Sequence, residues 1–152
     1  MTNKPAILNT APIVAAIRAA MPELIEVGNA ASFGRLTQNT IRYPSAFVIP
    51  LAETPGANRY QSAAILSQRV LARFGVIWAV RDIGDRLGTI AQGEIKAVRE
   101  AGMIAVCRFR PNDAESACEP IGGKLVSSIG NDGQMLWQDD FAYSLNRHIP
   151  IA

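Results

Sequence analysis

The sequence predicts an α+β fold. It is one domain over residues 1–152, a mostly antiparallel mixed sheet with two long strands and helices packed on one face. Three observations carry this. From Gln68 to Arg81, Val70, Ala72, Phe74, Val76, Trp78 and Val80 share one face, while Arg69, Arg73 and Arg81 lie on the other; side chains alternate across a strand. From Gln134 to Arg147, Met135, Trp137, Phe141, Tyr143 and Leu145 share a face opposed by Gln138, Asp140, Ser144 and Asn146. Two further stretches repeat apolar residues at helical spacing. Strands this long exceed the usual five or six or so residues and suit a building block better than a pocket enzyme.

Each element has its own signal. Ala11–Met21 is a helix: Pro12 fits its first turn, Thr10 is the expected N-cap, and Ile13, Val14, Ile17, Ala20 and Met21 form its apolar stripe. Pro22 stops it. Leu24–Val27 reads as a short strand, Ala30–Leu36 as a short helix, and Ala46–Leu51 as a buried strand. From Ala52 to about Leu66, Thr54-Pro55-Gly56 and Asn58 predict a long loop, of the kind that is usually functional. The first long strand follows, then a turn at Asp82–Asp85. Leu87, Ile90, Ala91, Ile95, Val98 and Gly102 mark one face of a helix reaching about Val106, broken by the segment containing Pro111. Ile121–Ser128 reads as a strand bulged near Gly122-Gly123, and Asn131-Asp132-Gly133 as the hairpin turn into the second long strand.

With 152 residues the chain can bury roughly two-thirds of its unfolded surface. Apolar residues make up 49% and charged residues 18%, a composition that fits a subunit hiding part of its surface against neighbours. The net charge of +2, with scattered Lys and Arg, lacks the basic patch of a sequence-independent nucleic-acid binder. No apolar run approaches the ~20 residues that cross a bilayer, and the N-terminus lacks a signal peptide's apolar core, so folding in the cytoplasm is expected. Cys107 and Cys118 read as ordinary thiols.

Catalysis finds little support. His148, the one histidine, lies near the end of the chain, where an exposed, frayed position is expected, and no nucleophile elbow accompanies it. One histidine and two distant cysteines do not make a metal site. Asp139 and Asp140 point to opposite faces of a strand, so they cannot act as an acid/base pair. Asp139 lies on the apolar face between Trp137 and Phe141 and needs a cation, for which Arg69, Arg73 or a neighbouring subunit are the candidates. Gly122-Gly123-Lys124 lacks the upstream glycine and following Ser or Thr of a phosphate loop. A small hydrolase using Asp139 or His148 would need a convergent polar constellation that the sequence does not show.

Three ordered blocks resemble the tail terminator (tail completion) proteins of long-tailed bacteriophages, the lambda-type terminators. They are Ala46–Leu51 leading into Gly56-Ala57-Asn58-Arg59; Gln68-Arg69-Val70 with Arg73–Val76 and Ala79–Asp82; and Gly122–Leu125 followed by Leu136–Phe141. The chain departs from the family at Leu136, where a second aromatic is usual, and at Asp139-Asp140, where Asp-Glu is common; Cys107–Cys118 matches least. The resemblance implies a structural virion protein without catalytic residues, metal or cofactor. It implies a homo-hexameric ring that caps the head-proximal end of the tail tube at the head-tail junction, after assembly in the host cytoplasm. The ring stops polymerisation of the major tail tube protein at the length set by the tape measure protein and offers a surface to the neck or head-completion connector protein. Genome DNA passes through its lumen without specific binding, and no membrane is involved. Exposure pattern and loop length make Arg69, Arg73, Asp139 and Asp140 candidate subunit-interface residues. They make Asn58, Arg59 and Tyr60 a candidate loop contacting the tube or a neighbour. The alternative is another neck ring component, a head-closure or tail-completion adaptor.

Overall fold

The computed structural model describes residues 4–36, 40–60, 64–81, 89–127 and 133–151, with backbone only for 89–92. The elements follow in the expected order: α1 (Ala11–Ala20), β1 (Glu26–Asn29), α2 (Ala30–Gly34), β2 (Ser45–Pro55), β3 (Ile65–Arg81), α3 (Thr89–Arg108), β4 (Glu119–Ser127) and β5 (Gln134–Pro150). They build a five-stranded sheet in the order β1-β2-β3-β5-β4. Only β1 and β2 run parallel; the other neighbours are antiparallel. Its spine is the β3–β5 ladder, which keeps one register from Ile65↔Pro150 to Arg81↔Gln134.

The alternation decides what covers each face. Val70, Ala72, Phe74, Val76, Trp78 and Val80 of β3 and Met135, Phe141, Tyr143 and Leu145 of β5 form the main core under α1 and α3, with Trp137 packed against it. Ile13 and Ile17 of α1 are fully buried there, each contributing roughly 1.5–3 kcal/mol. Phe74 and Phe141, opposite each other in register, stack with centroids 5.5 Å apart. The intervening residues Phe47, Ile77, Ala79 and Leu136 form a second, smaller cluster on the other face, where Phe33 of α2 packs on Phe47. The two long helices therefore share a face, and the short α2 covers part of the opposite one.

Local chemistry explains the departures from expectation. Thr10 occupies the N-cap position of α1 but is already helical in backbone and makes no side-chain cap; Asn9 Oδ1 accepts from the Ala11 N–H instead. Ala20 faces solvent beside the stripe of Ile13, Ile17 and Met21. Asn29 caps α2 by accepting from the Ser32 N–H. The long loop from Ala52 to Leu66 is a correction: β2 runs on to Pro55, β3 begins at Ile65, and N–H bonds from Gly56 to Arg69 and from Arg59 to Ser67 extend the pairing. Pro50 and Pro55 are tolerated because β1 ends opposite Val48, leaving the outer edge of β2 open beyond it, and an edge strand accommodates a missing N–H. His148 is exposed as expected, but it is held in β5 opposite Ser67 rather than frayed.

Register breaks in β4 leave Ile121 and Val126 without partners, near the glycine pair as expected. Gly133 carries a positive φ of 65°, which suits a hairpin glycine. The expected turn at 82–85, Leu87, Ser128 and the Asn131-Asp132 pair lie outside the described residues, as do the side chains of Ile90 and Ala91.

Candidate functional site

The polar groups separate into an internal clip and an outer face. The clip centres on Asp139, which is 0% exposed although β5 places it on the apolar side of the sheet. Its Oδ2 accepts from Trp78 Nε1 and its Oδ1 from Trp137 Nε1, each at 3.0 Å. Arg99 of α3 completes the shell, donating Nε to Oδ2 at 2.9 Å and Nη2 to Oδ1 at 2.8 Å. Its guanidinium also lies 4.4 Å from the Trp137 ring centroid. The expected partners of Asp139 are therefore corrected: neither Arg69 nor Arg73 reaches it, and the cation comes from the helix of the same chain. The sequence reading missed Arg99; the signal it left is its place beside the apolar stripe, four residues after Ile95 and three before Gly102.

Two glycines let this clip close. A Cβ on Gly102 would stand 2.3 Å from the Trp78 ring, so glycine is what allows α3 to sit on that indole. A Cβ on Gly123 would meet Asp139 Oδ1 at 2.9 Å and Trp137 Nε1 at 3.0 Å. The arrangement ties α3, β3, β4 and β5 together. With every carboxylate oxygen engaged, Asp139 serves as a structural anchor.

The outer face is assembled at the far end of the sheet. Arg69 Nε donates to Glu115 Oε2 at 2.7 Å, Arg59 Nη1 lies 3.7 Å from Glu115 Oε1, and Arg59 Nη2 donates to Asn146 Oδ1 at 2.7 Å. Asn146 Nδ2 donates to Glu115 Oε1. Hydrogen bonds from Arg69 and then Asn146 hold the Glu115 carboxyl below its ordinary range. Asn58 Oδ1 accepts from the N–H groups of Tyr60 and Ser67, which folds the connector back on β3 and leaves Tyr60 exposed. The fold thus joins two groups that the sequence lists separately, the Asn58–Tyr60 connector and Arg69. Glu115, the residue that joins them, lies in an irregular segment that carries no periodic signal. On the helical side, Arg147 Nη2 bonds Glu53 Oε2 at 2.6 Å, and Arg147 Nε donates to the Ala6 carbonyl, which straps the N-terminal segment across the core.

Beside the outer cluster runs an open groove of about 640 Å³, whose lining includes Arg69, Leu71, Arg73, Glu119, Ile121 and Ala142. Arg73 is exposed and makes no ion pair among the described residues. Asp140 lies on the same face and is half-buried, accepting from Gln138 Nε2 at 2.7 Å. The groove is bounded by β4, an edge strand on which Ile121, Leu125 and Val126 are 52%, 48% and 42% exposed. Apolar exposure on an unpaired edge marks a surface suited to contact.

Both cysteines are free. Burial pushes the Cys118 thiol up to about 12, and burial followed by Glu119 raises that of Cys107. Among the described residues no group of three or more His, Cys, Asp or Glu side chains is placed to hold a metal, and no helix is long and apolar enough to cross a membrane.

A family model described as "Phage tail terminator protein" matches residues 1–151. A comparison with curated proteins finds no match.

Proposed function

We propose that this chain, which belongs to the phage tail terminator family, forms a ring, hexameric in the simplest case, that caps the head-proximal end of the tail tube. The family makes it a structural component of the virion tail that acts through other tail and neck proteins. The family match over residues 1–151 carries the proposal.

The architecture supports it. A closed ring repeats one head-to-tail contact, so each subunit needs two different surfaces that complement each other. The sheet offers a short, partly covered edge at β1 and a long, apolar edge at β4. The outer face adds exposed charge at Arg69 and Arg73, with Asp140 half-buried beside them. Arg69 and Arg73 are the proposed interface cations and Asp140 a proposed interface anion. Asp139 acts within its own subunit, by fixing the sheet on which the others stand. Tyr60, exposed on the connector, is the proposed contact to the tube or the next subunit, with Asn58 and Arg59 holding the connector against the sheet. One face of the ring mates with the last layer of tube subunits and the other meets the neck connector, so tube growth stops.

The test is light scattering with negative-stain electron microscopy of the purified protein. Six chains of 16.3 kDa predict closed rings of about 98 kDa. Gold-labelled protein should bind one end of isolated tail tubes and halt their extension by added tube subunits. A protein that neither closes rings nor binds tube ends overturns the proposal. Fractionation separates it from a head-closure role: a terminator stays with tails that lack heads.

A further inference from the structure

The groove beside β4 and an acidic corner at the opposite side of the sheet are complementary in charge, and the ion-pairing capacity of Arg73, Glu23 and Glu26 is unused among the described residues. The corner is the turn between α1 and β1. There Ile25 is 57% exposed between Glu23, which is exposed, and Glu26, which is half-buried. Among the described residues neither glutamate makes an ion pair. The corner therefore sets one exposed apolar side chain between two carboxylates, an arrangement that fits a groove with an apolar floor and a cation at its rim. The groove presents the counterpart: Arg73, which makes no ion pair among the described residues, with Leu71, Ala142 and Ile121 as its apolar floor and wall.

We infer that the Glu23–Glu26 corner of one copy docks into the Arg73 groove of the next, as the head-to-tail contact of a self-assembled ring. The inference rests on the proposed self-association and names the two surfaces that carry it. Ile25 covers the Leu71–Ala142–Ile121 floor, and Arg73 meets the two carboxylates. The groove also sets direction. Glu119 stands opposite Ala142, which is in turn opposite Arg73, so cation and anion are separated by two strand spacings, roughly 10 Å. The corner carries a cation as well. Arg18 donates to the Val27 carbonyl beside the two glutamates and has no carboxylate partner among the described residues. Docking that brings Glu23 and Glu26 to Arg73 leaves Arg18 as the cation for Glu119.

The corner lies at the β1 edge and the groove spans β3, β5 and β4, so the contact joins two different surfaces and is heterologous: a copy that receives a corner still offers its own. They are also offset along the strands. Glu26 is level with Ser45 and Ala79, whereas Arg73 lies six residues further along β3, roughly 20 Å away. A constant offset closes into a ring, rather than winding into a filament, when the strands run oblique to the ring axis, as in closed sheets.

Sedimentation of four proteins decides this: the natural chain, Arg73→Glu, Glu23→Arg/Glu26→Arg, and the triple variant combining them. All the changed side chains are exposed or half-buried, and thermal melts check that each variant keeps its fold. The natural chain should sediment as an oligomer. Each reversal alone should weaken association by roughly tenfold or more, because like charges meet across the contact. The triple variant should recover most of that loss. Association indifferent to either reversal, or a triple variant as weak as its parents, overturns this contact while leaving self-association intact. A natural chain that stays monomeric at ~100 µM and on tube ends overturns self-association itself.

Discussion

Replacing Arg99 with Met tests the claim that the clip at Asp139 fixes α3 to the sheet. Methionine keeps an aliphatic stem of similar length and removes only the guanidinium. Asp139 is wholly buried, so its carboxylate loses every charge-assisted bond from Arg99 and keeps two indole donors, each at 3.0 Å. Breaking a buried pair by removing one partner costs about 3–5 kcal/mol. Two features pull toward the lower end: the surviving indole bonds, and an Arg99 side chain that remains 29% exposed and in reach of water. Loss of the guanidinium from above Trp137 adds about 0.5–1 kcal/mol. A total near 3 to 4 kcal/mol lowers the melting temperature by roughly 10 °C for a domain of this size. The internal control is Lys96→Met on the same helix. Lys96 pairs with Glu100 at 3.5 Å, but both side chains are mostly exposed, so that change should cost under ~0.5 kcal/mol. Urea melts of both variants with unchanged m-values provide the measurement. An Arg99→Met loss below ~1 kcal/mol, or one matched by Lys96→Met, refutes the reasoning that burial sets the strength of this pair.

Gly102→Ala should destabilise by about 1–3 kcal/mol and alter tryptophan fluorescence, because the new methyl falls 2.3 Å from the Trp78 ring; an unchanged spectrum and melt would show that α3 has room to shift. The Glu115 carboxyl should titrate below the ordinary carboxylate range by NMR, and Arg69→Ala should move it back up. Since its folded-state pKa is depressed, its contribution to the outer cluster is present above the unfolded value and is lost as pH falls through the lower, folded one. Acidification through that window should free the connector around Arg59, seen as faster amide exchange at Arg59 and Ser67; exchange that ignores pH there would be contrary. At neutral pH Cys118 should resist alkylation in the folded protein, because its thiol is buried and pushed up to about 12, and react on unfolding.

The fold was legible wherever a strong period met a long element. The alternation in β3 and β5 is strong enough that the core face could be read along both strands, with Asp139 its one charged interruption, and the helical spacing in α1 and α3 located both long helices. Turn chemistry was the weaker guide. Thr54-Pro55-Gly56 carries loop residues, yet Pro55 belongs to a strand, because whether a proline is tolerated depends on the neighbour across the edge, which the local sequence does not contain. The same limit applies to the polar sites. Asp139 announced itself as a carboxylate on an apolar face and the need for a cation followed, but which arginine answered depended on how α3 crosses the sheet. Glu115 gave no signal at all, since its segment is irregular and its role arises only when two separate arginines converge on it.

These two polar arrangements have opposite consequences for assembly. The Asp139 clip closes its hydrogen bonds inside one chain and is buried, so it acts as rigidity: it ties β3 and β5 together under α3. The outer face keeps its ion pairs exposed and leaves Arg73 unpaired at the rim of an open groove. Exposed pairs contribute little to the stability of an isolated chain, which makes them cheap to rearrange when a neighbour arrives. A subunit that folds on its own and then joins the proposed ring needs both properties. Its core has to be complete without a partner, and its contact surface has to stay incompletely satisfied until one comes. The order-setting carboxylate is therefore found inside the molecule and the unpaired arginine outside it, on opposite faces of the same two strands.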